Sequence, residues 1–289
     1  MPSAQELIDS CDTLFSLPEI YLRVREVVDD PASSTDDLAK VLLLDPALTA
    51  KILQVVNSPL YRLPRKVGTL TQAVSLLGMH PIQDIVLTTS VAKAFPKMQA
   101  TLMNMTDYWR QSVRCGLLAG GLAKHVRQPN AEEYFVVGLL RDVGHLVLYQ
   151  TVPDRAQAAL VEAAHLFQPV AAVERESIGC DFAEVGAELM RRWGMPHHFE
   201  SSIRYQVEPT EAGTSAPGAT VLHASGILSD ELEGENVAME EVLSSQRTTP
   251  SLRRLHCEPD QARPIVTMAQ TSLHEVLAMI YPRPAALAA

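Results

Sequence analysis

An all-α fold is what this sequence predicts, and three observations predict it. Nearly every stretch with a readable apolar period repeats at three- and four-residue intervals. No stretch alternates long enough to demand a strand. Breakers such as Asp45-Pro46, Asn57-Ser58-Pro59 and Gln128-Pro129-Asn130 punctuate the chain at helix-length intervals.

The elements follow in order. A first helix is expected from Pro18 to Val28, ending in the Asp29-Asp30-Pro31 turn. Between Thr35 and Val56 the apolar residues Leu38, Val41, Leu42, Leu48, Ile52, Leu53, Val55 and Val56 share one face, interrupted once at Asp45-Pro46. That interruption is a restart, because Asp45 can accept from the free amides of the next turn and Pro46 suits the first helical position. The restarted helix stops near Asn57-Ser58-Pro59, where Asn tolerates a left-handed cap and Pro59 cannot continue the ladder. A short helix ends at Gly78, and another runs from Met79 to Phe95. The next opens at Tyr108-Trp109 and reaches His125. Glu132 to Tyr149 reads as one helix, followed by Val152 to Leu166, Asp181 to Trp193 and Pro196 to Tyr205. Glu208 to Pro217 reads as a loop. Helices at Ala219 to Leu232, Val237 to Ser244 and Pro259 to Ile280 complete the chain. The expected organisation is an N-terminal helical subdomain over 1–95, a helical domain over 96–245 and a C-terminal helical extension over 246–289.

Composition narrows the function. With 289 residues and 47% hydrophobic content, the chain can bury one large core or two modest ones. Its net charge of −10 repels phosphate backbones and anionic lipid surfaces, which disfavours nucleic-acid binding. Cys11, Cys115, Cys180 and Cys257 form no CxxC pair, so reduced thiols are expected in place of a disulfide frame or zinc ribbon. No apolar run approaches the roughly 20 residues that span a bilayer, so membrane insertion is not expected. Met1 to Glu6 lacks the basic-then-apolar layout of a signal peptide, and the expected address is cytoplasmic.

Several motifs then occur in a specific order. Ser16-Leu17-Pro18 precedes Asp45-Pro46-Ala47-Leu48-Thr49, Asn57-Ser58-Pro59-Leu60-Tyr61 and Ala73-Val74-Ser75-Leu76-Leu77-Gly78. Tyr108-Trp109-Arg110-Gln111-Ser112, Gly138 to Gly144, Asp181 to Leu189 and Trp193-Gly194-Met195-Pro196 follow. Across roughly Leu14 to Val207 this series resembles the HDOD family, all-helical bacterial signalling domains related to the HD phosphohydrolases. The resemblance implies an HD-like bundle. HD enzymes hold metal ions with histidines and aspartates so that bound water attacks a phosphoester. Carried over one position at a time, the first ligand histidine falls at Gln111 and the central His-Asp pair at Arg141-Asp142. Phe182 takes the place of the histidine before Ala-Glu-Val-Gly, Gln206 and Val207 take the paired histidines, and the closing aspartate falls near Gly226. Only Asp142 keeps a ligand's chemistry. Arg141 sets a permanent positive charge beside any cation, while Phe182 and Val207 offer no lone pair. The Gly-Tyr-Pro signature of cyclic-dinucleotide phosphodiesterases is absent as well.

These readings predict a non-catalytic regulatory module with no cofactor and no metal, in which Gln111, Arg141, Asp142, Phe182 and Gln206 outline a vestigial pocket. Asp142 is expected to pair with Arg141, and that guanidinium to stand where the cation would. His145 reads as an ordinary, partly exposed histidine. Asn57, Ser58, Tyr61 and Arg62 are the candidate interaction loop, although backbone geometry alone explains Asn57-Ser58-Pro59. What the resemblance implies is signal transduction through unknown protein partners, with a small nucleotide as a candidate cue. The alternative is a metal-dependent phosphohydrolase acting on a nucleotide or cyclic dinucleotide.

Overall fold

The N-terminus opens on a capping box. The Ser3 hydroxyl accepts the amide of Glu6, and the Glu6 carboxylate accepts the amide of Ser3 at 2.8 Å, starting α1 (Ala4–Asp9). The spacing Ser-x-x-Glu was visible in the sequence, but the six-residue helix has too little apolar period to be read as one. The computed structural model describes residues 1–10, 17–61, 63–94, 102–233 and 237–281, and among these every regular element is helical, with no strand. Cys11, Arg62 and Phe95 lie outside the described residues.

By its contacts the chain divides into two units, Met1–Ser16 with Lys97–Met268, and Leu17–Pro96 with Ala269–Ala289. The second contains α2 (Glu19–Asp29), α3 (Thr35–Leu42), α4 (Pro46–Val56), α5 (Leu70–Leu77) and α6 (Met79–Ala94). Asp45 caps α4 by accepting the Leu48 amide at 2.9 Å, with Pro46 in the first turn, as the restart requires. Asn57 departs from expectation. Its φ of −84° is not left-handed. It ends the helix with its side chain instead, donating Nδ2 to the carbonyls of Leu53 (2.7 Å) and Val67 (2.9 Å) and accepting the Val67 amide at 2.7 Å. Tyr21, Val24, Leu38, Ile52, Val74 and Ile82 are buried in this unit, where α2 packs on α3 and α6.

The first unit is organised on α7 (Met105–His125), whose Trp109, Val113, Leu118 and Leu122 are fully buried. Against it pack α8 (Tyr134–Leu139) and, further along the chain, α14 (Ala216–Glu231). Between them run α9 (Val143–Thr151), α10 (Pro153–Leu166), α11 (Val170–Ser177), α12 (Phe182–Arg192) and α13 (His197–Arg204). After α14 come α15 (Met239–Ser244), α16 (Thr248–Arg254) and α17 (Pro259–Ile280). The sequence groups α1 with the N-terminal subdomain, whereas α1 packs on α9 and α12 in the first unit. Residues 269–280 of α17 belong to the second unit.

Three expectations are corrected. Glu132 to Tyr149 is not one helix but α8 and α9, separated by a turn at Leu140, Arg141 and Asp142. The break is hard to read in the sequence because buried apolar residues flank Arg141-Asp142 on both sides and no Pro marks it. Glu208 to Pro217 is largely a 3-10 segment, Pro209–Ser215. The helices α1, α11 and α16 were not anticipated, each being eight residues or shorter. Cys115, Cys180 and Cys257 are free and buried. Among the described residues no helix is long and apolar enough to cross a membrane.

Candidate functional site

The turn between α8 and α9 is held in place by glycines. A Cβ on Gly138 would lie 2.8 Å from the Cys115 carbonyl, and one on Gly144 would lie 1.9 Å from the Phe182 carbonyl. Backbone therefore meets backbone on both sides of the turn, α8 against α7 and α9 against α12. The turn thereby presents Arg141 and Asp142 to a cavity of about 580 Å³. All five residues carried over from the sequence, Gln111, Arg141, Asp142, Phe182 and Gln206, line this one cavity. Asn57, Ser58 and Tyr61 belong to the other unit. There Asn57 spends its amide on backbone and Ser58 is buried.

Arg141 forms the floor. Its Nε donates to Gln206 Oε1 at 2.9 Å, and Gln206 Nε2 donates back to the Arg141 carbonyl at 2.9 Å, so one side chain grips both ends of the arginine. Asp142 Oδ1 lies 3.5 Å from Nε and Asp230 Oδ1 lies 3.9 Å from Nη1, close enough for ion pairing but too far for hydrogen bonds. Burial works against the charge on Arg141, yet Asp142 and Asp230 outweigh it and hold the pKa above its ordinary value. Nη1 is buried with no hydrogen-bond acceptor.

Gly226 lies directly against the guanidinium. A Cβ there would come within 2.5 Å of Arg141 Cζ, so a side chain at the position near which a closing aspartate is expected would have to displace the guanidinium. The acid appears one turn later on α14. Asp230 accepts from Gln111 Nε2 at 2.9 Å, and burial lifts its pKa against the pull of Arg141. Asp230 was not identified from the sequence, although a carboxylate four residues beyond Gly226 was the available signal.

His145 is partly exposed, as expected, but it is not idle. Its ring stacks on Phe182 at 4.1 Å and on Tyr149 at 5.5 Å, with Nδ1 3.3 Å from Oε1 of Glu174. Glu174 is fully buried and its other oxygen accepts the Phe182 amide at 2.9 Å. A buried carboxylate needs such partners. Neither Glu174 nor α11, which carries it, had been read from the sequence.

These donors do not fit the metal centre of an HD enzyme. The positions that would ligate hold an amide at Gln111, a guanidinium at Arg141 and a phenyl ring at Phe182. Among the described residues no group of three or more His, Cys, Asp or Glu side chains is placed to hold an ion.

Residues 14–209 match the model of the HDOD domain family. The chain belongs to the HDOD family. One curated relative, an uncharacterised protein of Treponema pallidum (strain Nichols), is 24% identical over 203 residues, which cover 70% of this chain and 39% of that protein. The chain thus spans about two fifths of the length of that curated relative. Among solved structures, a protein of Shewanella amazonensis SB2B provisionally named a phosphohydrolase superposes with a TM-score of 0.78. It is 23% identical, with 95% of this chain and 97% of that one covered. A protein of Marinobacter aquaeolei VT8, provisionally named a signal transduction protein, gives a TM-score of 0.68 at 24% identity, covering 93% of this chain and 60% of that one. At these identities the likeness establishes the shared helical fold.

The rest of the HDOD pocket is mixed in character. Tyr108, Tyr149, Phe182 and Ile227 supply apolar surface, and Arg247 stands at the rim with 59% of its side chain exposed. His223 Nδ1 lies 2.7 Å from the Gln206 carbonyl. A carbonyl can only accept, so Nδ1 carries the proton. Burial lowers the pKa of His223, which favours the neutral ring and leaves Nε2 as an acceptor.

Proposed function

We propose that this HDOD chain is a non-catalytic regulatory module of bacterial signal transduction, cytoplasmic, acting by binding a protein partner. In this reading Gln111, Arg141, Asp142, Phe182 and Gln206 form a sensing pocket coupled to a small-molecule cue such as a nucleotide. The observation that carries the proposal is the Arg141 guanidinium, clamped by Gln206 where a hydrolase needs a cation. A cation placed there would meet a fixed positive charge that cannot be removed by deprotonation at physiological pH. The provisional name of the Marinobacter protein points the same way.

The test is metal content and turnover. Protein purified without chelator is expected to contain far less than stoichiometric Mn, Fe or Zn and to leave phosphodiesters and cyclic dinucleotides intact. Near-stoichiometric metal with turnover that Asp142→Ala abolishes would make the chain a metal-dependent phosphohydrolase and overturn the proposal. Affinity capture from a bacterial lysate, with wild type and with Arg141 and Asn57-to-Lys66 variants, then assigns the partner-binding surface by which variant loses the partner.

A further inference from the structure

The cavity is lined by two guanidinium groups at different depths, Arg141 at its floor and Arg247 at its rim. Arg141, with only 16% of its side chain exposed, uses Nε on Gln206, while Nη1 has no acceptor. A buried charged donor left without an acceptor costs about 1 to 3 kcal/mol or more. Asp230 Oδ1 stands 3.9 Å from Nη1, too far for a hydrogen bond, and Asp142 Oδ1 faces Nε at 3.5 Å. Asp230 is shared loosely by Arg141 and by Arg247 Nη2 at 3.4 Å, and its only short bond is to Gln111. An oxyanion fits this arrangement, because carboxylate and phosphate oxygens accept from guanidinium N–H groups in pairs. Beside the guanidiniums, Tyr108, Tyr149 and Ile227 offer apolar and aromatic surface, and about 580 Å³ is the size of a small organic ligand's pocket.

We propose that this pocket binds a small organic oxyanion, a phosphate or carboxylate on an apolar or aromatic body, whose anionic group bridges Arg141 and Arg247. The inference deepens the proposed function and rests on the pocket being a sensing site. The anion completes the hydrogen bonding of Arg141, its body lies along Tyr108 and Tyr149, and the neutral His223 accepts from a hydroxyl or amino group on the ligand. A metal cation would meet two guanidiniums, and the carboxylates of Asp142 and Asp230 already face them. A neutral ligand would make no ion pair with either arginine.

Calorimetric titration of the full chain at constant ionic strength tests this with adenosine monophosphate, phenyl phosphate, benzoate, inorganic phosphate and uncharged adenosine. At least one of the three organic anions is expected to saturate with a Kd below about 1 mM, and adenosine to bind at least about tenfold more weakly than its monophosphate. Arg247→Ala, at an exposed rim position, is expected to keep the wild-type melting temperature and weaken binding at least about fivefold, and Arg141→Gln to weaken it further. Absence of saturable binding by every organic anion would overturn the inference, as would unchanged affinity in both variants or equal affinity for adenosine and its monophosphate. Failure of the proposed function looks different. An anion that binds through Arg141 and Arg247 but is hydrolysed with added metal, followed by phosphorus NMR, would overturn the non-catalytic reading and leave the binding inference standing.

Discussion

Arg141, where the family resemblance implies a ligand histidine, makes demands on its neighbours. A guanidinium is larger than an imidazole and cannot lose its charge, so the space it fills must be vacated and its donors met. Gly226 vacates the space and Gln206 meets Nε. This dependence is measurable. In the interior of a helix such as α14, Gly→Ala alone favours Ala by about 1 kcal/mol. With Arg141 in place, Gly226→Ala is instead expected to destabilise by about 1 to 2 kcal/mol, because displacing the guanidinium breaks its clamp to Gln206. In an Arg141→Ala background the same change should become stabilising. Denaturant midpoints of the four proteins give the cycle, and the same sign in both backgrounds would show that Gly226 is not spaced for Arg141. The sequence exposed Gln111, Arg141, Phe182 and Gln206 as lost ligands, since each is a change of chemistry at a motif position. Asp230 and Glu174 stayed hidden, because an acid on a helix has no signature until its neighbours in space are known.

Among the elements, α9 and α12 approach through Gly144 and Gly186. A Cβ on Gly144 would sit 1.9 Å from the Phe182 carbonyl and 2.8 Å from the Gly186 amide nitrogen. Both are main-chain atoms, so relief requires the helices to part. Gly144→Ala is therefore expected to cost about 3 kcal/mol despite the helix preference for Ala, with loss of the His145 to Phe182 stack. Chemical denaturation checks the first effect, and the ring-current shift of the His145 protons checks the second. A neutral or stabilising result would show that the helices can separate at no cost. Helix ends were legible where a capping side chain marks them, as at Asp45 and Asp181, which accepts the Glu184 amide at 2.8 Å. They were illegible at the turn after α8, where Asp142 precedes α9 without a side-chain cap and apolar residues continue on both sides.

For the whole molecule, neither unit is a continuous piece of chain. The second unit takes residues 17–96 and then 269–289, so its core depends on a helix made almost 200 residues after its own. Ile280 is buried and its carbonyl accepts Lys51 Nζ of α4 at 3.1 Å, and Val276 is buried as well. A chain ending at Met268 forfeits these contacts. Burial of each such side chain stabilises by about 1.5 to 3 kcal/mol, so α4 amides are expected to lose most of their hydrogen-exchange protection while α7 amides of the first unit keep theirs. Unchanged protection in α4 would show that the second unit folds without the C-terminal helix.

The sequence by itself determined the helical class, most helix ends, the HDOD assignment and the residue types at Gln111, Arg141, Phe182, Gln206 and Val207, where the resemblance implies ligand histidines. All of these are local in the chain: a period, a cap or a residue type at a motif position. Tertiary structure alone decided that α8 and α9 are separate and that Asp230 faces both Arg141 and Arg247. It also decided that His145 is stacked and that the C-terminal helix completes a unit begun 250 residues earlier. Those facts depend on which distant surfaces meet, and a glycine without a side chain, the residue that permits the closest meetings here, gives no sign in the sequence of what it lies against.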